Sequence, residues 1–286
     1  MNELVVAAVQ MRSGVLPEAN ISVMTDLVRE AASRGARYVQ TPEMTGAVQK
    51  DRAGLLRILR PEADDPVLRA ASALAAELGI YLHIGSTAID AGGGMAANRA
   101  VVFGPDGSVL GRYDKIHMFD VDLDNGESWR ESAVYRPGQS AHTVDLDGAR
   151  LGLGICYDIR FPHLFRDLAL AGAQILTAPA AFTRQTGKAH WHVLQRARAI
   201  ENGAFVISAA QGGVHEDGRE TYGHSLIVNP WGRVIAEADN DEPGVIVATL
   251  ALDEVKAARA KIPNLKNSRT YRVEDDMKTT RGAQVA

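Results

Sequence analysis

The feature that most constrains this chain is the regular exchange of two hydrophobic periods along it. Short apolar runs of strand length alternate with segments whose apolar residues recur every three or four positions. Residues 4–9 (LVVAAV) read as a buried strand, and 18–34 as a helix in which Ile21, Met24, Leu27, Val28 and Ala31 share one face before Gly35. Residues 37–41 (RYVQT) form a second strand. A helix is expected over 66–78, with Asp65 as N-cap, Pro66 at the first helical position and Gly79 just past the end. Strands near 80–88 and 98–103 follow, then the turn Gly104-Pro105-Asp106-Gly107 and a returning strand near 108–113, which is hairpin geometry. The second half repeats the style, with a strand at 150–155, a helix from about Pro162 to Ala171, a strand at 174–178 and a helix at about 188–202. Strands near 204–210, 224–228, 233–238 and 244–250 close the pattern.

Strand–helix alternation joined to hairpins implies an α/β domain with mixed sheet. Neither a low-complexity linker nor a shift of composition divides the chain, so residues 1–261 read as one domain and 262–286 as a polar tail. With 31 basic against 35 acidic residues the net charge is −4, which carries no broad footprint for nucleic acid or an anionic membrane. A small-molecule partner is expected instead. The single cysteine cannot form an intramolecular disulfide, and the opening MNELVVAAVQ lacks the basic and long apolar regions of a secretory signal. The expected compartment is the cytoplasm. No window approaches the roughly 18 apolar residues of a membrane-spanning helix.

In α/β sheets ligands collect beyond the carboxyl ends of strands, so polar residues at strand ends carry the functional reading. Three stand out: Glu43 after the strand 37–41, Lys115 after the hairpin strand, and Cys156 at the end of 150–155. Each alone has a plain alternative, a solvated surface charge for Glu43 and Lys115 and a small buried hydrophobe for Cys156. Together they make a chemical unit. A free thiol is only slightly ionised at neutral pH and needs a base or a cation beside it, which Glu43 and Lys115 can supply. Attack on an amide creates an oxyanion, and the Lys115 ammonium with the Tyr157 N–H can hold it. Ammonia leaves only when protonated, so the base that took the thiol proton must return it to nitrogen.

The segments Pro42-Glu43, Asp114-Lys115-Ile116-His117 and Gly154-Ile155-Cys156-Tyr157-Asp158, in that order and spacing, resemble the Glu-Lys-Cys triad of the nitrilase superfamily of carbon–nitrogen hydrolases. The likeness runs from about residue 4 to 273. It is strongest in "ICYDIRFP", "AHWHVLQRARAIEN" and "YGHSLIVNPWG", which are similar to the branch containing deaminated-glutathione amidase and omega-amidase. The resemblance implies an αββα sandwich whose protomers pair through helices into a homodimer or a higher homo-oligomer, with tails such as 262–286 crossing to the partner. It also implies that Glu131 is a second active-site glutamate, positioning the lysine and the hydrolytic water. The activity implied is hydrolysis of a small carboxylate-bearing amide through a cysteine thioester. An N-carbamoyl amino acid hydrolase or a nitrilase on the same triad is the alternative, and a non-catalytic scaffold of the same fold is the remote one.

Dicarboxylic amides need a cationic or hydroxyl-rich clamp for the distal carboxylate. The segment 182–191, read as a loop bordering the pocket, offers Arg184, Thr186, Lys188 and His190. Arg160 has two readings, an ion pair with Asp158 that supports the nucleophile or a contact to the substrate carboxylate; support is the favoured one. His190 and His192 lie two apart on a helix and face different sides, and no Cys/His/Asp cluster has zinc-site spacing, so no metal is expected. Gly92-Gly93-Gly94 lacks a phosphate-binding continuation and reads as a loop, and no cofactor is expected. Gly152 and Gly154 read as room for close packing beneath the nucleophile.

Overall fold

The computed structural model describes residues 3–123 and 126–273. In the first half, β1 (Glu3–Gln10), α1 (Pro17–Ser33), β2 (Tyr38–Gln40), α2 (Arg52–Ile58), α3 (Pro66–Leu78), β3 (Tyr81–Asp90), β4 (Ala96–Phe103) and β5 (Val109–Asp114) follow one another. A hairpin of β6 (Asp120–Asp122) and β7 (Ser128–Arg130) leads to β8 (Thr143–Leu146), β9 (Ala149–Gly152), α4 (Pro162–Leu170), β10 (Ile175–Thr177) and α5 (Arg184–Asn202). The remainder is β11 (Phe205–Ser208), a hairpin of β12 (Gly212–Val214) and β13 (Glu220–Tyr222), then β14 (Leu226–Val228), β15 (Val234–Glu237), β16 (Gly244–Ala251) and α6 (Asp253–Lys261).

Two six-stranded mixed sheets result, ordered β16-β1-β2-β3-β4-β5 and β15-β14-β11-β10-β9-β8. Each has three parallel strands at its centre, β1-β2-β3 and β9-β10-β11, flanked by antiparallel neighbours. The layering follows from the two-residue period of a strand. In β1, Val6 and Ala8 enter the core between the sheets, whereas Ala7 and Val9 join Met24 and Val28 of α1 and Leu74 of α3 in a separate outer core. In β4, Ala100 and Val102 face inward while Val101 and Phe103 face the helices. With α4 and α5 packed on β9, β10 and β11, the architecture is the αββα sandwich.

The α3 boundaries fall as expected: Asp65 accepts a hydrogen bond from the Leu68 N–H at 2.9 Å, and Gly79 takes the left-handed conformation, φ 62°. The main difference lies in α5, which starts at Arg184 rather than near 188, because Thr183 caps it: its side chain accepts from the Thr186 N–H. The segment read as a loop is therefore mostly the first two turns of a helix. Strand β9 ends at Gly152, short of the expected 155, and α2, α6 and the β6–β7 and β12–β13 hairpins add to the anticipated pattern. Residues 262–273 continue past α6 without regular structure beyond a turn, and the rest of the expected tail, 274–286, lies outside the described residues. Among the described residues no helix is long and apolar enough to cross a membrane.

Candidate active site

The two sheets bring the ends of β2, β5 and β9 to one edge of the inter-sheet core, and the three residues singled out by sequence meet there. Glu43 follows β2, and its side chain is fixed at both oxygens: Oε1 accepts from Lys115 Nζ at 2.8 Å and Asn98 Nδ2 at 3.0 Å, and Oε2 from the Ala181 N–H at 2.9 Å. Lys115 directly follows β5, and its main chain is held by Asn98 and Gly138. Its ammonium donates to Glu43 and to both oxygens of Glu131, at 3.0 and 2.9 Å, while Glu131 also accepts from the Phe119 N–H at 2.6 Å. The cluster is one cation between two carboxylates, with Lys115 only 2% and Glu43 4% exposed.

Burial opposes ionisation of each partner, and the partners overcome it. Glu43 is pushed up by burial, but Lys115, its interaction with the Cys156 thiol and the Asn98 amide bring its pKa below the ordinary value. Burial disfavours the Lys115 ammonium, yet Glu131 and Glu43 hold its pKa well above normal. Burial and the Glu43 charge push the Cys156 thiol well up, against the pull of Lys115. The resting arrangement is thus a neutral thiol facing an ionised carboxylate, which is the state a general base requires.

Cys156 begins a short 3₁₀ turn, Cys156–Arg160, with a left-handed φ of 47° and its N–H bonded to the Pro179 carbonyl at 2.9 Å. Such strain in a non-glycine residue is held by its surroundings. Asp158, fully buried, accepts from Tyr113 Oη at 2.7 Å, the Ile155 N–H at 2.9 Å and the His117 N–H at 3.1 Å, and lies 2.7 Å from His117 Nδ1. It ties the nucleophile turn to β5 and the segment after it. Below the turn, a Cβ on Gly154 would sit 2.8 Å from the Phe165 ring and 3.2 Å from the Thr177 carbonyl, so close packing requires glycine there. The Tyr157 N–H occupies the second position of the turn, where a helix start leaves N–H groups without intrahelical partners.

Above this floor lies a cavity of about 320 Å³ that Glu43, Lys115, Glu131, Cys156, Tyr157, Arg160 and Thr186 all line. The favoured Asp158–Arg160 ion pair does not form. Asp158 is occupied as described, and the Arg160 guanidinium lies over the rings of Phe182 and Tyr157, 5.2 and 5.8 Å from their centroids, with Nη1 3.3 Å from His190 Nδ1. The Arg160 side chain instead lines the cavity. His190 reaches the cavity only through Arg160. Arg184 and Lys188 are not brought to it, because the helix turns them outward: both are exposed, and Arg184 pairs with Glu220 and Asp241, each at 2.9 Å.

Sequence reasoning missed Asn98, whose amide bridges Glu43 and Glu131 at 3.0 and 3.2 Å. The signal was present, since an Asn in the mostly apolar β4 must find polar partners once buried. It also missed Arg219, which stacks on Trp129 with its guanidinium carbon 4.5 Å from the ring centroid and joins the cavity wall from the β12–β13 hairpin. No local pattern marks that residue, because only the tertiary fold brings the hairpin to the site.

Comparison with known proteins agrees with this fold. The profile of the carbon-nitrogen hydrolase family matches residues 5–260. The chain is 37% identical over 273 residues to the deaminated glutathione amidase of Synechocystis, covering 93% of this chain and 98% of that one. It is 35% identical over 280 residues to the human omega-amidase NIT2, covering 96% and 99%. The crystal structure of the C. elegans NitFhit protein superposes with a TM-score of 0.86 at 31% identity, covering 93% of this chain and 65% of that one.

Proposed function

The chain belongs to the carbon–nitrogen hydrolase family, and from that premise we propose that it is an amidase acting on a small, carboxylate-bearing amide through a Cys156 thioester. One observation carries the reading: the buried Glu43 carboxylate accepts from the Lys115 ammonium at 2.8 Å, and both line one cavity with Cys156. As Sγ attacks the carbonyl carbon, Glu43 takes the thiol proton, and the Lys115 ammonium with the Tyr157 N–H receives the oxyanion. Glu43 then gives the proton to nitrogen, the C–N bond breaks and ammonia leaves, and the acyl group remains on sulfur. Water enters, Glu43 accepts its proton, and collapse of the second tetrahedral intermediate releases the acid and returns the proton to sulfur. Glu131 and Asn98 act through others: they hold the Lys115 ammonium and the Glu43 carboxylate in place.

The cavity wall supports an anionic substrate. Outside the cluster it carries Lys50, Arg52, Arg130, Arg160 and Arg219 and, among the described residues, no carboxylate, and Arg160, braced over two rings, is the cation suited to bind a distal carboxylate bidentately. Deaminated glutathione and omega-amides are the substrate types that the relatives' names add to this reading. A lone reactive thiol also suits the reducing cytoplasm. A screen of product release tests the proposal. Ammonia from omega-amides or deaminated glutathione supports it; ammonia with carbon dioxide from carbamoyl amino acids, or ammonia from nitriles alone, overturns it.

A further inference from the structure

We propose that this protein carries a zinc-class metal site, separate from the catalytic cavity, formed by His192, His224 and Glu237. The three come from α5, the connection between β13 and β14, and the end of β15, which explains why spacing along the chain gave no sign of them. One ligand atom from each lies within 4.8 Å of the others. His192 Nε2 is 2.6 Å from Glu237 Oε1, and His224 Nδ1 is 3.5 Å from the same oxygen. A zinc ion bound at about 2.0–2.1 Å would set tetrahedral donors roughly 3.3 Å apart, inside this range. Two imidazoles and a carboxylate are a borderline-soft donor set that favours zinc over calcium or magnesium, and three protein ligands leave a fourth position for water.

Two further observations separate the cluster from an ordinary surface pair. His224 Nδ1 is buried and makes no hydrogen bond, although Glu237 Oε1 stands 3.5 Å from it. His224 also holds a left-handed φ of 56°, one of three non-glycine residues to do so among those described; the other two are Cys156 and Met44, which adjoins Glu43. The strain at Cys156 and Met44 belongs to the catalytic cluster, whereas that at His224 has no catalytic partner. It is sustained by the Trp191 indole, which donates to the His224 carbonyl at 2.7 Å, and by Tyr222, stacked on the imidazole at 4.4 Å. Trp191 adjoins His192 on α5, so the helix supplies one ligand and fixes the backbone of another. The Tyr222 N–H in turn bonds to the carbonyl of Phe182, a residue of the cavity wall. A metal here would tie α5, β15 and that wall together.

Calorimetric titration of chelator-stripped protein with zinc tests the site. Wild type is expected to bind one zinc per protomer and to unfold at a higher temperature when loaded. His192→Ala and His224→Asn, the latter retaining a residue that tolerates left-handed backbone, should each weaken binding by roughly tenfold or more. Glu237→Gln, which leaves both imidazoles in place, should weaken it too and decides the matter if either histidine variant fails to fold. Cys156→Ala should bind zinc as wild type does. Absence of zinc binding by wild type, binding unchanged in the variants, or binding lost in Cys156→Ala alone would overturn the proposal.

Discussion

At the residue scale the chemistry turns on who holds the proton. Cys156 is the only cysteine in the chain, so, if it is the nucleophile proposed, Cys156→Ala should reduce turnover to below about one per cent of wild type, in keeping with the loss expected on removing a nucleophile. A circular-dichroism spectrum identical to that of wild type would show that the fold survives. Glu43 and Glu131 share Lys115 but not a role. Glu43→Gln removes the acceptor of the thiol proton, and no acyl-enzyme should form. Glu131→Gln should slow breakdown of the acyl-enzyme or misplace Lys115; if it mainly hinders water attack, mass spectrometry of quenched reactions finds a thioester adduct accumulating on Cys156. Acylation of the Glu43 variant at the wild-type rate would remove Glu43 as the base. The pH profile follows from the same pair. Because the Glu43 pKa lies below its ordinary 4.5, the base stays ionised as pH falls to that value, and the acid limb of kcat/KM should appear only lower still. By the same sign, the stability that ionised Glu43 contributes is present above its unfolded pKa and is lost as pH falls through the folded one.

At the element scale, the first turn of α5 governs the substrate side of the cavity. Thr183 caps the helix, and both it and Thr186 line the cavity. Thr183→Ala should cost about 1 kcal/mol, visible as a melting temperature a few degrees lower, and should raise KM more than it lowers kcat, with Thr183→Ser restoring both. This helix also marks how far the sequence can be read. Asp65, Pro66 and Gly79 bound α3 by local chemistry alone, and the periodic pattern is strong enough to place α1 and β1. In α5 the apolar period becomes clear only at Trp191, because the opening RQTGKAH is polar and its buried members, Thr186 and Gly187, are not hydrophobic. Glu43, Lys115 and Cys156 could be singled out because each closely follows an expected strand. Arg219 and the role of Asp158 could not, since their meaning lies in partners tens of residues away: Asp158 reads locally as a mate for Arg160, but its carboxylate is taken by Tyr113 and His117.

At the scale of the whole molecule, the two halves bury their outer faces unequally. The helices α1 and α3 close their sheet with an outer core and leave Val23 of α1 exposed at 42%, whereas α4 and α5 expose Leu170, Val193 and Ile200 at 58%, 68% and 51%. Val193 and Ile200 are seven apart, so they share one stripe of α5, on the side away from buried Trp191 and Gln195. Apolar side chains aligned on one helical face are what a self-complementary, two-fold interface would bury. A homodimer is therefore expected, with light scattering giving twice the chain mass of 30.7 kDa at micromolar concentration. Val193→Glu tests the face without disturbing the core, since the side chain is open in the single protomer and a charge there meets its own symmetry mate only on assembly. The variant should melt cooperatively yet scatter as a monomer. It should also lose part of its kcat/KM, because the partner braces the helix whose first turn, at Thr183 and Thr186, lines the cavity. A wild-type protein that is monomeric and fully active, or a Val193→Glu variant that remains dimeric, would place the interface elsewhere or nowhere.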